Sequence, residues 1–189
     1  GCHDAATYKI YKNSKYISEI FINNVCKNKP KLCDLSTDII KNVVQSFAAT
    51  QSGNSFEDML NEGARYLDLR IIPVNITDGK ILSKPINSSS QIDIHFSHNY
   101  VLLNFNLYNG LLEIKKFLLN NPFEIVLIYL SHFDGSVYNS DQFNNILPFF
   151  NLKLINIVET VFNNMIIKNC DYKYKLPSIN DIYSKNKRG

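Results

Sequence analysis

Glu124-Ile125-Val126-Leu127-Ile128-Tyr129-Leu130-Ser131 decides the fold class. The stretch is strand-sized and almost wholly apolar between its polar ends. A strand with one wet face alternates apolar and polar residues; this one does not. Strands of this kind are covered on both faces, as in parallel sheets. Working upstream, Leu107, Leu111, Ile114 and Leu118 mark a helix that Asn120-Asn121-Pro122 ends. Ile92 to Ser97 alternates and reads as a strand. Arg65 to Ile72 reads as another, stopped by Pro73. Residues 75–90 form a long loop with a Gly, a Pro and a serine run. Ser55 caps a short helix that Gly63 closes. Further back, Ile40, Val43, Val44 and Phe47 form the core-facing stripe of a helix capped by Ser36 or Thr37, and Ile17 to Val25 is a shorter helix. Downstream, Leu154, Val158, Val161 and Met165 mark a longer helix with Pro148 in its approach. Pro177-Ser178 opens a last short turn.

Strands alternating with helices predict a parallel α/β architecture. Its commonest closed form is the eight-stranded TIM-type (β/α)8 barrel of about 250 residues. The chain has 189 residues. It is therefore expected to be one domain over 1–189 that holds only the N-terminal half of such a barrel, about strands one to four, trimmed at both ends. Residues 1–14 read as the loop after a strand whose beginning is missing.

Net charge is +3 with both signs scattered along the chain. That argues against nucleic acid as a partner. No run approaches the ~20 apolar residues that span a bilayer. The four cysteines (Cys2, Cys26, Cys33, Cys170) form no CxxC zinc pattern. Cys26 and Cys33 could close a loop around Pro30 in an oxidising compartment. Asn75-Ile76-Thr77 and Asn87-Ser88-Ser89 match the glycosylation triplet. Together these point to a secreted protein or one peripheral to a membrane surface.

In parallel barrels the chemistry gathers at the C-terminal ends of strands. Four polar groups sit at such ends: His3-Asp4, Asp68 with Arg70, His98, and Ser131-His132. Two histidines, a carboxylate and an arginine suit cleavage of a phosphodiester by a neighbouring hydroxyl. That reaction needs a base for the hydroxyl and an acid for the leaving oxygen. It also needs fixed positive charge beside the phosphoryl oxygens. Histidine serves as either base or acid near neutral pH. Arginine stays charged and can contact two phosphoryl oxygens at once. Each residue alone has a commonplace structural reading: a lone loop histidine is more often incidental, and Asp-x-Arg on a strand is more often an ion pair.

The local wording is more specific. Gly1-Cys2-His3-Asp4-Ala5-Ala6-Thr7-Tyr8 resembles the segment around the first catalytic histidine of bacterial-type phosphatidylinositol-specific phospholipases C. Gly63-Ala64-Arg65-Tyr66-Leu67-Asp68-Leu69-Arg70 resembles the Gly-x-Arg-x-x-Asp-x-Arg strand of that family. His98 matches its second catalytic histidine, and Glu124-Ile125-Val126-Leu127 its next core strand. Leu176-Pro177-Ser178-Ile179 resembles a Leu-Pro segment that precedes strand five.

The resemblance implies an enzyme that cleaves phosphatidylinositol or a glycosyl-phosphatidylinositol to diacylglycerol and inositol 1,2-cyclic phosphate. His3 would take the proton of the inositol 2-hydroxyl. Arg70 would stabilise the phosphorane. His98 would protonate the diacylglycerol oxygen, Asp4 would pair with His98, and Asp68 would support the site from the strand of Arg70. Calcium-dependent relatives carry Asn, Glu and Asp at the positions of Asp4, Asp68 and Arg70, and a further Glu where this chain has Leu130. Calcium takes six to eight oxygen ligands, and an arginine within that set repels it. The resemblance thus implies no metal and no cofactor. It also implies that the late-strand half of the barrel, with the partner of His3 and the head-group pocket, comes from elsewhere.

Asn99 departs from the family's Gly after the second histidine. His95 is a rival for His98; an odd spacing puts the two on opposite faces of a strand. The alternative to an enzyme is a catalytically silent X domain that binds membranes or a partner. A metal-dependent glycerophosphodiesterase-like barrel would need a Glu-x-Asp pair that Asp68-Leu69-Arg70 does not supply.

Overall fold

The computed structural model describes residues 4–9, 27, 55–82, 85–98, 101–131 and 140–166. The helices expected over 17–25 and near 36–47, the Cys26–Cys33 loop, His3, His132 and the turn at Pro177 lie outside them.

Helix α1 (Phe56–Asn61) starts where its cap dictates. The Ser55 hydroxyl accepts the Asp58 amide at 3.1 Å, and the Asp58 carboxylate accepts the Ser55 amide at 2.9 Å. This reciprocal box satisfies two amides that the helix start leaves open. Gly63 ends the helix at φ 99°, a conformation suited to glycine. The Gly63 amide bonds Leu60 O at 3.1 Å and the Ala64 amide bonds Met59 O at 2.9 Å. The pair forms a Schellman turn, which aims the chain into strand β1 (Tyr66–Asn75).

Arg65 locks this junction. Its side chain donates to Leu60 O and Ala64 O at 2.6 and 2.8 Å and pairs with Glu124 at 2.7 Å. Its guanidinium also lies 5.1 Å from the centre of the Phe117 ring. The Arg65 carbonyl accepts the Leu127 amide, which sets the register of the last strand.

Four strands form one sheet: β1, β2 (Ile92–His98), β3 (Val101–Asn106) and β4 (Leu127–Ser131), in the order β3-β2-β1-β4. β1 and β4 are parallel, with Arg70 opposite Ser131. The pairs β1–β2 and β2–β3 are antiparallel. The sheet is thus mixed, not all-parallel. The reason is connection length. Among the described residues of 76–91 the one helical element is a three-residue 3-10 turn (Ser89–Gln91), and two residues separate β2 from β3. Neither link contains the crossover helix a parallel return needs.

β1 also runs past Pro73, where an end was expected. Pro73 O accepts the Leu82 amide. A residue's N and O point to the same side of a strand, so the missing donor of Pro73 faces residues 81–82. The ladder to β2 survives, and the proline sits where sheets tolerate one.

Helix α2 (Leu107–Asn120) joins β3 to β4, and α3 (Ser140–Phe162) follows. Pro148 lies inside α3 instead of before it. The core sits between these helices and one face of the sheet. Leu67, Leu69 and Ile71 of β1, Ile94 and Phe96 of β2, and Leu103 and Phe105 of β3 meet Phe56, Ile114 and Val161 there. The Phe56, Phe96 and Phe105 rings stand 5.1–6.0 Å apart, centre to centre. The opposite face carries Asp68, Arg70, Ile72 and Val74 of β1, as alternation along a strand requires.

β4 is shorter than the apolar run that suggested it, and less covered. Leu127 and Tyr129 are 52% and 55% exposed. β4 is the edge of the sheet among the described residues. No helix of the described residues is long and apolar enough to cross a membrane.

Candidate active site

The site begins with a tight turn. Residues Ala5–Lys9 form a 3-10 turn, and both the amide and the hydroxyl of Thr7 donate to Asp4 O, at 3.0 and 2.8 Å. Ala5 and Ala6 are buried in the helix-side core. That explains the two small residues in the local wording: larger side chains would lift the turn off the core. Asp4 itself has φ 52°. Aspartate is among the few residues that visit this region, and such backbone strain gathers at functional sites.

The turn delivers the Asp4 carboxylate between two strands. Oδ1 lies 2.5 Å from Nε of Arg70, and Oδ2 lies 3.3 Å from Nε2 of His98. The Asp4 side chain is buried, at 4% exposed, and those of Arg70 and His98 are largely covered, at 12% each. A buried carboxylate is costly without cationic partners, and here the guanidinium supplies permanent charge. Asp68 lies two residues before Arg70, on the same face. Its Oδ1 accepts the Ser131 hydroxyl at 2.8 Å, which ties the last residue of β4 to the strand of Arg70.

This arrangement brings together Asp4, Arg70 and His98, with Asp68 and Ser131 beside them. A carboxylate at Nε2 of a histidine fixes the ring's orientation and stabilises its protonated form. A protonated histidine next to a fixed guanidinium can hand a proton to a leaving oxygen while charge builds up on a phosphoryl group. No group of three or more His, Cys, Asp or Glu side chains able to hold a metal comes together among the described residues.

His95 is engaged elsewhere. Its Nε2 is 3.2 Å from Asp93 Oδ2 and its Nδ1 is 3.2 Å from Leu103 O. Asn106 donates to the same Asp93 oxygen at 3.3 Å. Burial pushes the Asp93 carboxyl up, but bonds from His95, the Ile94 amide and Asn106, with the nearby imidazole, leave it below its ordinary value. This cluster pins β2 to β3. Ser131 was expected as a polar group at a strand end and Thr7 as part of the local wording, but not the bonds they make. Ser131 sits at a strand end, but its bond crosses between strands 63 positions apart. For Thr7 a signal existed: a hydroxyl three residues after Asp4 is the usual spacing of a turn closed by its own side chain.

No family model and no solved structure matches the chain. Two curated proteins do. Over 95 residues, 50% of the chain, it is 30% identical to PI-PLC X domain-containing protein 2 of Homo sapiens. It is likewise 30% identical over 95 residues to the Mus musculus protein of that name. Over those 95 residues the chain is similar to these PI-PLC X domain-containing proteins. The matched stretch spans about a quarter of these relatives, 26% and 24% of their lengths.

Proposed function

We propose that the chain carries the N-terminal catalytic residues of a phosphatidylinositol-specific phospholipase C. The observation that carries this reading is the buried Asp4 carboxylate shared by Arg70 and His98. The substrate is phosphatidylinositol or a glycosyl-phosphatidylinositol at a membrane surface. His3 accepts the proton of the inositol 2-hydroxyl, and that oxygen attacks phosphorus. Arg70 stabilises the added negative charge. The bond from phosphorus to the diacylglycerol oxygen breaks, and His98 gives its proton to that oxygen. The products are diacylglycerol and inositol 1,2-cyclic phosphate, because the nucleophile belongs to the substrate.

We read the reaction as independent of metal. Support comes from Arg70, whose guanidinium takes the place beside Asp4 that a cation would need. We read the fold as half of a TIM-type barrel completed by a further segment. Support comes from the parallel β1–β4 pair and from the uncovered apolar side chains of β4. The protein would then act at a membrane surface without spanning it.

Cleavage of radiolabelled phosphatidylinositol by the full-length protein tests the reading, with His98→Ala and His3→Ala as controls. Release of cyclic inositol phosphate by the wild type alone is the expected result. No release, or equal release by both variants, overturns it in favour of a silent binding module.

A further inference from the structure

A concavity lies where the Ser89–Gln91 turn, α2 and α3 meet, and none of Asp4, Asp68, Arg70 and His98 lines it. Its volume is about 250 Å³. Ser89 and Ser90 of the 3-10 turn line one wall, and Tyr108 of α2 another. Lys153, Asn156, Ile157 and Thr160 line it from α3. Ile157 belongs to the helix-side core, which fixes the place of the concavity in the fold.

Three features give this space an anionic preference. Lys153 is half-buried, and no carboxylate pairs with it among the described residues. No acidic side chain lines the concavity. Tyr108 sits in the first turn of α2, a 14-residue helix with no acidic residue in that turn. A helix start carries partial positive charge, and the Asn106 cap that accepts the Asn109 amide at 3.0 Å is uncharged. Hydroxyls and an amide supply the remaining polar groups, each able to donate to an oxyanion. The Ser88 and Ser90 hydroxyls are 2.8 Å apart, and Ser88 accepts the Ser90 amide, so this wall is held in place.

We propose that this concavity binds a small phosphate-bearing ligand, with Lys153 as its cation and the hydroxyls of Ser89, Ser90 and Thr160 around it. The size matches. Pockets for drug-sized ligands run about 300–1,000 Å³, so the space suits a phosphate with a few carbon atoms. The source is a soluble phosphomonoester or the head group of an anionic lipid. Exposed Leu152 and Ile155 on α3 leave the second source open. The site does not depend on the catalytic reading.

The test follows backbone amides of the full chain by NMR during titration with inorganic phosphate. Saturable shifts at Ser90, Asn156 and Thr160 are expected. Lys153→Gln should weaken them about tenfold, the loss of one charge-assisted hydrogen bond. Lys153→Arg should retain them, and glycerol should produce none. Displacement of phosphate by glycerol 3-phosphate assigns the site to soluble phosphomonoesters. Displacement by phosphatidylglycerol in phosphatidylcholine vesicles, but not by phosphatidylcholine alone, assigns it to lipid. Shifts confined to Asp4, Arg70 and His98 would overturn the proposal while leaving the catalytic reading intact. So would shifts unchanged in Lys153→Gln, or none at all.

Discussion

His98 Nε2 lies 3.3 Å from Asp4 Oδ2, although the two residues are 94 positions apart and belong to a turn and a strand end. The carboxylate reaches the ring because Thr7 closes the turn beneath it and Asp4 accepts a positive φ. Asp4→Asn keeps the shape and can keep the φ, but removes the charge that favours protonated His98. The proposed cleavage should then slow by about 10²–10⁴-fold in kcat with little change in KM. Steady-state kinetics across pH check this.

How much of this was legible before any coordinates depends on whether the signal was local. The capped start of α1, its glycine stop and the strand after it were readable, because Ser55, Asp58, Gly63 and the apolar run act on near neighbours. Asp4 and His98 were readable as candidates because each sits at the end of an element, and Arg70 because its strand was expected to stop at Pro73, whereas β1 runs on to Asn75. The resemblance implied the Asp4–His98 pair, but not the share Arg70 takes of that carboxylate, since nothing near Arg70 names a partner 66 residues away. The antiparallel direction of β2 was missed because alternation fixes a strand's faces and not its direction. β3 was missed because Asn104 and Asn106 interrupt a short apolar run. The double coverage expected of β4 follows from composition, and Leu127 and Tyr129 show that composition does not supply the covering segment.

The cluster at Asp93 should shape stability in acid. Its folded-state carboxyl lies below the ordinary value, so it contributes stability above the unfolded-state value. That contribution is lost as pH falls through the folded-state value, below about pH 4. Asp93→Asn should lower stability at neutral pH and flatten the acid slope. Urea unfolding of both proteins from pH 7 to pH 3 measures this, and identical slopes would remove Asp93 from the account.

Gly110 tests the packing of α2 on the sheet. A Cβ built there comes within 2.5 and 2.6 Å of the Phe96 ring and 3.0 Å of Phe56. Both rings are fully buried and packed on Phe105, so neither can yield cheaply. Gly to Ala on an exposed helix stabilises by about 1 kcal/mol. Here Gly110→Ala should instead destabilise by about 1–3 kcal/mol through overpacking. Denaturant midpoints give the sign directly.

Arg70→Lys separates charge from geometry at the proposed site. Lysine keeps a positive charge near Asp4, so the buried carboxylate retains a partner and the fold should hold. It loses the planar fork that can meet two phosphoryl oxygens together. Support given only to the transition state is lost, so kcat and kcat/KM should fall together, by about 10²–10³-fold. A second substitution at this position bears on metal. If the guanidinium does the work that calcium does in related enzymes, excess chelator should leave wild-type activity unchanged. Arg70→Asp should then be inactive until calcium is added, and any rescue by calcium would show that the arginine and the ion compete for one place beside Asp4. Activity of the wild type that disappears with chelator and returns with calcium would instead assign the arginine a structural role, as a counter-charge for Asp4 alone.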